Sequence, residues 1–552
     1  MIRNLLLFLE EKTKELGENT ALGMRSNIGW NELTYKGINV LARRLGAYLI
    51  NNGVEKGDKI AILSESTPEW SAAFFSIIIA GGTAVPLDIK LTEYELNSIM
   101  SDCLPKVLLV SSAYYDKGMK LKEQISSIEH VILMDDKGVG QQVESIYTIP
   151  DLPVKKWRHR SLDKTALIIY TSGTTGMPKG VQITYKNVIS QIENVTKYFP
   201  LTQKDRLLSI LPMNHLFELT VGYLSFMSLG ARLYYSKSLK PNDLFEIIQK
   251  KKITFMVVVP AFLKMIKTHL ETSISKYNPV RKLLFEIKFK IARFIPSFRL
   301  RRMLFPTLQK TLGGQFKGVL SGGAPLDVNI GKFFNRIGIE VFEGYGLSEA
   351  SPVVSFNKKG HNKLGSVGIP FPDMQARIDE ETGELQVKGP NVMKGYYKRD
   401  DLTAEVITED GWLKTGDIAK IDSDGYIWIT GRIKNMIVLS GGKKVFPEEV
   451  EAVMEKSPKF TELCVFGGVR TGGHKDGSED VVIKIVPTAE MQQEFSDDKE
   501  LEKEVIKEVK EYAKRLSNFK RPTTILVSRE ALPRTATKKV KRKEIKQEYD
   551  KK

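Results

Sequence analysis

The chain has 552 residues and carries 83 Lys and Arg against 66 Asp and Glu, a formal net charge of +17. With 42% apolar and 27% charged residues it is neither a disordered nor a fibrous chain, and it is too long for one compact core. Its two cysteines, Cys103 and Cys464, lack CxxC spacing, which argues against a disulfide scaffold and a cysteine zinc site and suits a reducing compartment. The amino terminus is apolar early but acidic from Glu10, which predicts a short amphipathic helix rather than a signal peptide. No apolar run reaches the ~20 residues of a spanning helix, so the expected location is cytoplasmic. Between 31 and 169 the runs KIAILSES, TAVPLD, KVLLVSS, HVILMDD and TALIIYTSG predict buried parallel strands that end in loops. NELTYKGINVLARRLGAYLINNG and TEYELNSIMSD carry apolar residues three and four apart and predict helices. The alternation, an α/β signature, resumes at RLLSILPMNH, ARLYYSK and FMVVVPAFL. From about 365 to 430 short alternating segments with turns predict a β-rich subdomain. A second α/β texture follows, with VFPEEVEAVMEKSP as a helix and ELCVFGGV and VVIKIVP as strands. A large amino-terminal domain, 1–432, and a small carboxy-terminal one, 433–552, are the expected division.

The positive charge is compatible with nucleic acid, an anionic membrane, an acidic protein or polyanionic nucleotides. No nucleic-acid module accompanies it, so no nucleic-acid partner is expected. The excess concentrates in 281–302, which holds eight bases and one acid, Glu286, interleaved with apolar residues. Two readings stand: a helix packed on its own domain with a snorkelling basic rim, or a surface segment meeting anionic membrane at the inner face.

The most informative segment is TSGTTGMPKG at the end of the ALIIY run. Gly173, Gly176 and Gly180 permit close backbone approach. Thr171, Ser172, Thr174 and Thr175 with backbone N–H groups can surround phosphate oxygens, and Lys179 adds a point charge. It is not a GxxxxGK[ST] loop.

This segment resembles the signature loop of the adenylate-forming superfamily, which includes acyl-CoA synthetases, luciferases and peptide-synthetase adenylation domains. Further motifs follow in order. The segment with Gly322, Gly323 and Ala324 (SGGAPL) is similar to the family's adenine-side segment. EGYGLSE, with Glu343, Gly344, Tyr345, Gly346, Ser348 and Glu349, resembles EGYGxTE, with serine in place of threonine. The resemblance implies that Tyr345 stacks on adenine, Ser348 contacts the α-phosphate and Glu349 holds Mg²⁺. It places Asp417 of KTGD on the ribose, Arg432 beside it, and Lys434 at the hinge of a mobile lid. LSGGKK, with Ser440, Gly441 and Gly442, resembles the loop lining the thiol tunnel, and LPRTATKKVKR resembles PKTxxGKxxR, with Lys539 on the catalytic lysine. Lys538 stands where glycine is usual, which leaves the register between Lys538 and Lys539 open. LPMNHLFE resembles the acyl-pocket segment of long-chain fatty acid–CoA ligases, whose histidine, His215 here, lies near the substrate carboxylate; Glu218 leaves an amino-acid substrate as an alternative.

The implied fold is a large domain of packed α/β subdomains with a β-barrel-like piece, plus a small mobile α+β domain. The implied activity is long-chain fatty acid–CoA ligation: ATP and acid give acyl-adenylate and pyrophosphate, then the acyl group passes to coenzyme A. ATP, Mg²⁺ and CoA are the implied cofactors; acyl carrier protein is the alternative acceptor, which basic faces would dock.

Overall fold

The computed structural model describes residues 4–26, 29–135, 144–153, 157–171, 178–199, 201–439, 443–468, 479–534 and 540–550. The chain separates into two compact units, Met1–Gln375 with Val387–Leu413, and Ala376–Gln386 with Lys414–Lys552.

The first unit is built on two sheets. One has seven strands in the order Gly395–Tyr396, Lys179–Thr184, Thr165–Thr171, Thr83–Pro86, Lys59–Leu63, Val107–Val110 and His130–Leu133. The apolar runs read from the sequence form its parallel part, from Thr165–Thr171 to His130–Leu133. Helices Pro68–Ala80, Glu93–Cys103 and Tyr115–Gln124 connect these strands. Such strands lose solvent on both faces, which is why they read as continuous Val, Ile and Leu rather than as alternation. Glu93–Cys103 starts at a capping box, in which Thr92 and Glu95 satisfy each other's backbone N–H. Pro68–Ala80 is buried along its whole length. Helix Tyr35–Asn51 packs against it through Gly46, where an added Cβ would meet Ile79 Cγ2 at 2.5 Å.

The second sheet has nine strands: Ile369–Pro370, Val353–Phe356, Glu340–Gly346, Gly318–Ser321, Phe255–Val258, Arg206–Ser209, Arg232–Tyr235, Thr20–Ser26 and Gly29–Thr34. Its inner strands are parallel. Here the helix predicted from NELT onward begins later. Gly29–Thr34 pairs antiparallel with Thr20–Ser26, and Thr34 Oγ1 caps the helix by accepting the Gly37 N–H at 3.0 Å. The segments 211–216, 322–326 and 347–352 leave the carboxyl ends of Arg206–Ser209, Gly318–Ser321 and Glu340–Gly346, where ligands bind in open α/β sheets.

A four-stranded sheet, Gln375–Ile378, Glu384–Lys388, Leu413–Ile421 and Ile427–Arg432, is the β-rich texture expected between about 365 and 430; most of it falls in the second unit, whereas the sequence reading puts it in the large amino-terminal domain. A three-stranded sheet, Phe460–Gly468, Asp480–Pro487 and Thr524–Val527, follows. Helices Pro447–Met454 and Asp498–Ala513 bury Val450, Met454, Leu501, Val505 and Val509 with this sheet. The mixed α/β fold implied by the sequence is the one observed. No helix among the described residues is long and apolar enough to cross a membrane.

Candidate active site

The strands Thr165–Thr171 and Lys179–Thr184 form an antiparallel pair whose last rung sets Thr171 against Lys179. Both ends of the TSGTTGMPKG segment are therefore held together; Ser172, Gly173, Thr174, Thr175 and Gly176 lie outside the described residues. Gly395–Tyr396 adds a short strand beside this pair, with Tyr396 opposite Val181. Lys179 Nζ lies 5.2 Å from the centroid of the Tyr396 ring. The Tyr396 phenol donates to Glu349 Oε1 at 2.9 Å. Burial, then the nearby Glu349 charge, push that phenol above its ordinary pKa, so it stays a donor. One aromatic ring thus joins the cation of TSGTTGMPKG to the carboxylate of EGYGLSE.

Glu349 sits on the single 3-10 turn Ser348–Ala350. Its carbonyl accepts the Met393 N–H at 2.8 Å. Helix Tyr185–Tyr198 braces both sides of this contact. Buried Gln191 donates from Nε2 to the Val353 carbonyl at 2.8 Å. Asn187 donates to the carbonyls of Pro390 and Val392 at 2.7 and 2.9 Å. Tyr396, Gln191 and Asn187 are the residues that sequence reasoning missed. The only available signal is GYY at 395–397, on a strand of two residues, too short to show alternation.

The glycines of EGYG have a packing reason: a Cβ at Gly346 would lie 1.9 Å from the Pro352 carbonyl oxygen, and one at Gly344 would lie 2.6 Å from the Phe356 ring. Half-buried Tyr345 lies opposite Ser355. Glu343 is buried, its carboxylate accepts the Gly365 N–H at 3.0 Å, and burial raises its pKa to about 7. In SGGAPL, Gly323 has φ +81°, open to glycine without strain, and Ala324 is exposed. A Cβ on Gly322 would crowd the Phe217 ring at 3.1 Å.

His215 stands just before the π-helix Phe217–Leu224. Its Nε2 is shielded from solvent without a partner among the described residues, and burial lowers its pKa, so the imidazole is neutral. Glu218 is fully enclosed, neither carboxyl oxygen has a partner among the described residues, and burial raises its pKa to about 8. The linkage follows directly. Between its ordinary 4.5 and about 8 the folded chain keeps a proton that the unfolded chain has lost, so this group's contribution to stability falls as pH rises. Glu218→Gln is therefore expected to gain on the wild type by about 1.4 kcal/mol per pH unit across that window. Urea unfolding at several pH values measures it; a difference independent of pH refutes the buried neutral carboxyl.

In the second unit Asp417 and Arg432 face each other across paired strands. The guanidinium holds the buried carboxylate through Nε and, at 3.3 Å, through Nη2, while Thr415 Oγ1 accepts the Asp417 N–H at 3.1 Å. Lys434 is exposed on the 3-10 turn Ile433–Asn435. Ser440, Gly441, Gly442 and Lys539 lie outside the described residues. On either side of 535–539, Arg534 and Val540 form an antiparallel bridge. Arg542 then forks onto Glu448 at 2.9 Å and Glu451 at 2.8 and 2.7 Å.

Among the described residues no three His, Cys, Asp or Glu side chains gather as a metal site. A lone carboxylate such as Glu349 fits Mg²⁺, which takes one or two protein carboxylates and draws its other oxygens from phosphate and water.

Residues 9–397 match the profile of the family described as AMP-binding enzyme, and 434–552 match that of the AMP-binding enzyme C-terminal domain. The chain belongs to the AMP-binding enzyme family. It is 30% identical over 464 residues to long-chain-fatty-acid–CoA ligase FadD15 of Mycobacterium bovis, covering 80% of this chain and 76% of that one. It is 28% identical over 450 residues to feruloyl-CoA synthase of an Amycolatopsis species, covering 80% and 81%. The ATP-bound crystal structure of the RpMatB-BxBclM chimera B1 superposes with a TM-score of 0.81 at 25% identity, over 100% of this chain and 99% of that one. This AMP-binding enzyme is an ATP-dependent, AMP-forming acid:CoA ligase, and ATP and CoA are its cofactors.

Proposed function

We propose that this AMP-binding enzyme is a long-chain fatty acid–CoA ligase. The reading is carried by Glu218: a neutral, enclosed carboxyl is a poor counter-ion for a substrate ammonium, which favours an acid without one. Buried Leu211, Met213, Leu216 and Leu219 around His215 make the same segment apolar. The relatives named long-chain-fatty-acid–CoA ligase agree with it.

A carboxylate and ATP repel each other, and a carboxylate is a poor acyl donor. Attack of the carboxylate oxygen on the α-phosphorus breaks the bond to the bridging oxygen of pyrophosphate and leaves a mixed anhydride. Catalysis is then mainly positioning and charge stabilisation. In the proposed assignment Thr171, the 172–176 hydroxyls and backbone, and Lys179 hold the β- and γ-phosphates. Gly322, Gly323, Ala324, Glu343, Gly344, Tyr345 and Gly346 form the adenine side, Ser348 meets the α-phosphate, and Asp417 and Arg432 hold the ribose. Glu349 holds Mg²⁺, which when bound neutralises phosphate charge, and Tyr396 keeps Glu349 oriented. Neutral His215 can donate to or accept from the acid. Lys539 draws carboxylate and phosphate together. After adenylation the 433–552 domain turns at Lys434 and brings Ser440, Gly441 and Gly442 to the thiol, which attacks the acyl carbon and releases AMP.

The test is ATP–pyrophosphate exchange across a series of carboxylic acids, followed by acceptor choice between CoA and carrier protein. At about 0.8 kcal/mol per buried CH₂, kcat/KM is expected to rise about fourfold per methylene along the saturated series until the pocket is full. Ferulate or an amino acid outperforming every saturated acid would overturn the reading.

A further inference from the structure

Helix Pro279–Ile291 and helix Phe298–Leu304 have no buried residue in either. The first helix is nonetheless strongly sided. Phe285 stacks on Phe289 at 5.6 Å between centroids, and Phe289 meets Phe333 at 5.8 Å, which anchors one face on the unit. Val280, Leu283, Leu284, Ile287 and Ile291 follow helical spacing on the opposite face, within about 100° of arc at 3.6 residues per turn. They point outward: Leu283 is 59% exposed and Ile291 50%. Phe294 and Met303 continue the apolar surface, each 71% exposed. Arg281 and Lys288 flank the stripe on one side and Lys290 on the other, and all three are exposed.

An apolar stripe turned to water costs free energy unless something covers it. We propose that this face is a docking surface for an anionic lipid bilayer, with the apolar stripe sunk to the acyl boundary and the bases level with the lipid phosphates. Two observations favour a bilayer over an acidic protein. The bases lie on both flanks of an apolar arc, the arrangement of a helix lying in the interface plane. Of the eight bases within 281–302, six (Arg281, Lys282, Lys288, Lys290, Arg293 and Arg299) are exposed against a single acid, Glu286, so the surface suits a sheet of negative charge rather than paired contacts. The surface rests on the fatty-acid reading only for its purpose, since long-chain acids partition into bilayers.

The full chain is sedimented with phosphatidylcholine vesicles containing one-third phosphatidylglycerol, and with phosphatidylcholine alone. Binding is expected only to the anionic vesicles, and to weaken with salt. Leu283→Ser with Ile287→Ser and Phe294→Ser, which leaves the charge intact, is expected to reduce partition at least tenfold at an unchanged melting temperature. Arg281→Gln, Lys288→Gln and Lys290→Gln are each expected to cost about fivefold. Absent vesicle binding, binding untouched by both sets of changes, or capture of an acidic carrier protein by this face in place of vesicles overturns the proposal. Sedimentation needs no turnover, so its failure leaves the acid-activation reading standing.

Discussion

Glu349→Gln is expected to lower ATP–pyrophosphate exchange by about 10²–10³-fold, the usual loss when one element of charge stabilisation is removed from such a site. The substitution is isosteric. The amide oxygen can still accept from the Tyr396 phenol, whose donor is 2.9 Å from Oε1 in the wild type, so the turn Ser348–Ala350 keeps its place. Only the charge disappears, and with it the hard anionic oxygen that suits Mg²⁺. Melting within about 1 kcal/mol of wild type separates this from a folding defect. Unchanged exchange at saturating Mg²⁺ would show that the carboxylate serves packing alone. Tyr396→Phe supplies the graded control. It removes the donor and keeps the ring beside Lys179, so a smaller loss is expected.

Lys539→Ala is expected to divide the reaction in two. Adenylation should fall by a similar factor, about 10²–10³, because its transition state gathers negative charge from two anions. Thioester formation from supplied acyl-adenylate should stay within about twofold, since the thiol step needs no cation at the α-phosphate. Lys538→Ala should change neither step by more than about twofold, which also resolves the register. Equal loss of both half-reactions in Lys539→Ala would end the proposed division of labour.

The buried parallel strands were legible because both of their faces lose solvent, and that leaves a mark in composition at each position. The start of Tyr35–Asn51 was not, because NELT carries apolar spacing that fits a helix, and its strand partner Thr20–Ser26 is decided by register. The motif segments stand out in the sequence because their residue types and order carry chemistry. What those residues touch was hidden. Glu349 meets Tyr396 across 47 positions, and Asn187 meets Pro390 across 203, and no local pattern encodes such distances. Likewise the amphipathic reading of 281–302 could not say which face looks outward. Only Phe285 and Phe289, seated against Phe305 and Phe333, decide it.

The fork of Arg542 onto Glu448 and Glu451 has a mechanical consequence. Glu448 and Glu451 lie on Pro447–Met454, a few residues after 440–442, and Arg542 lies three residues after Lys539. One ionic knot therefore fastens the neighbourhoods of both segments to a common frame. In the proposed exchange of Lys539 for the 440–442 segment, that frame turns as a single piece, like a two-headed tool rotated in the hand.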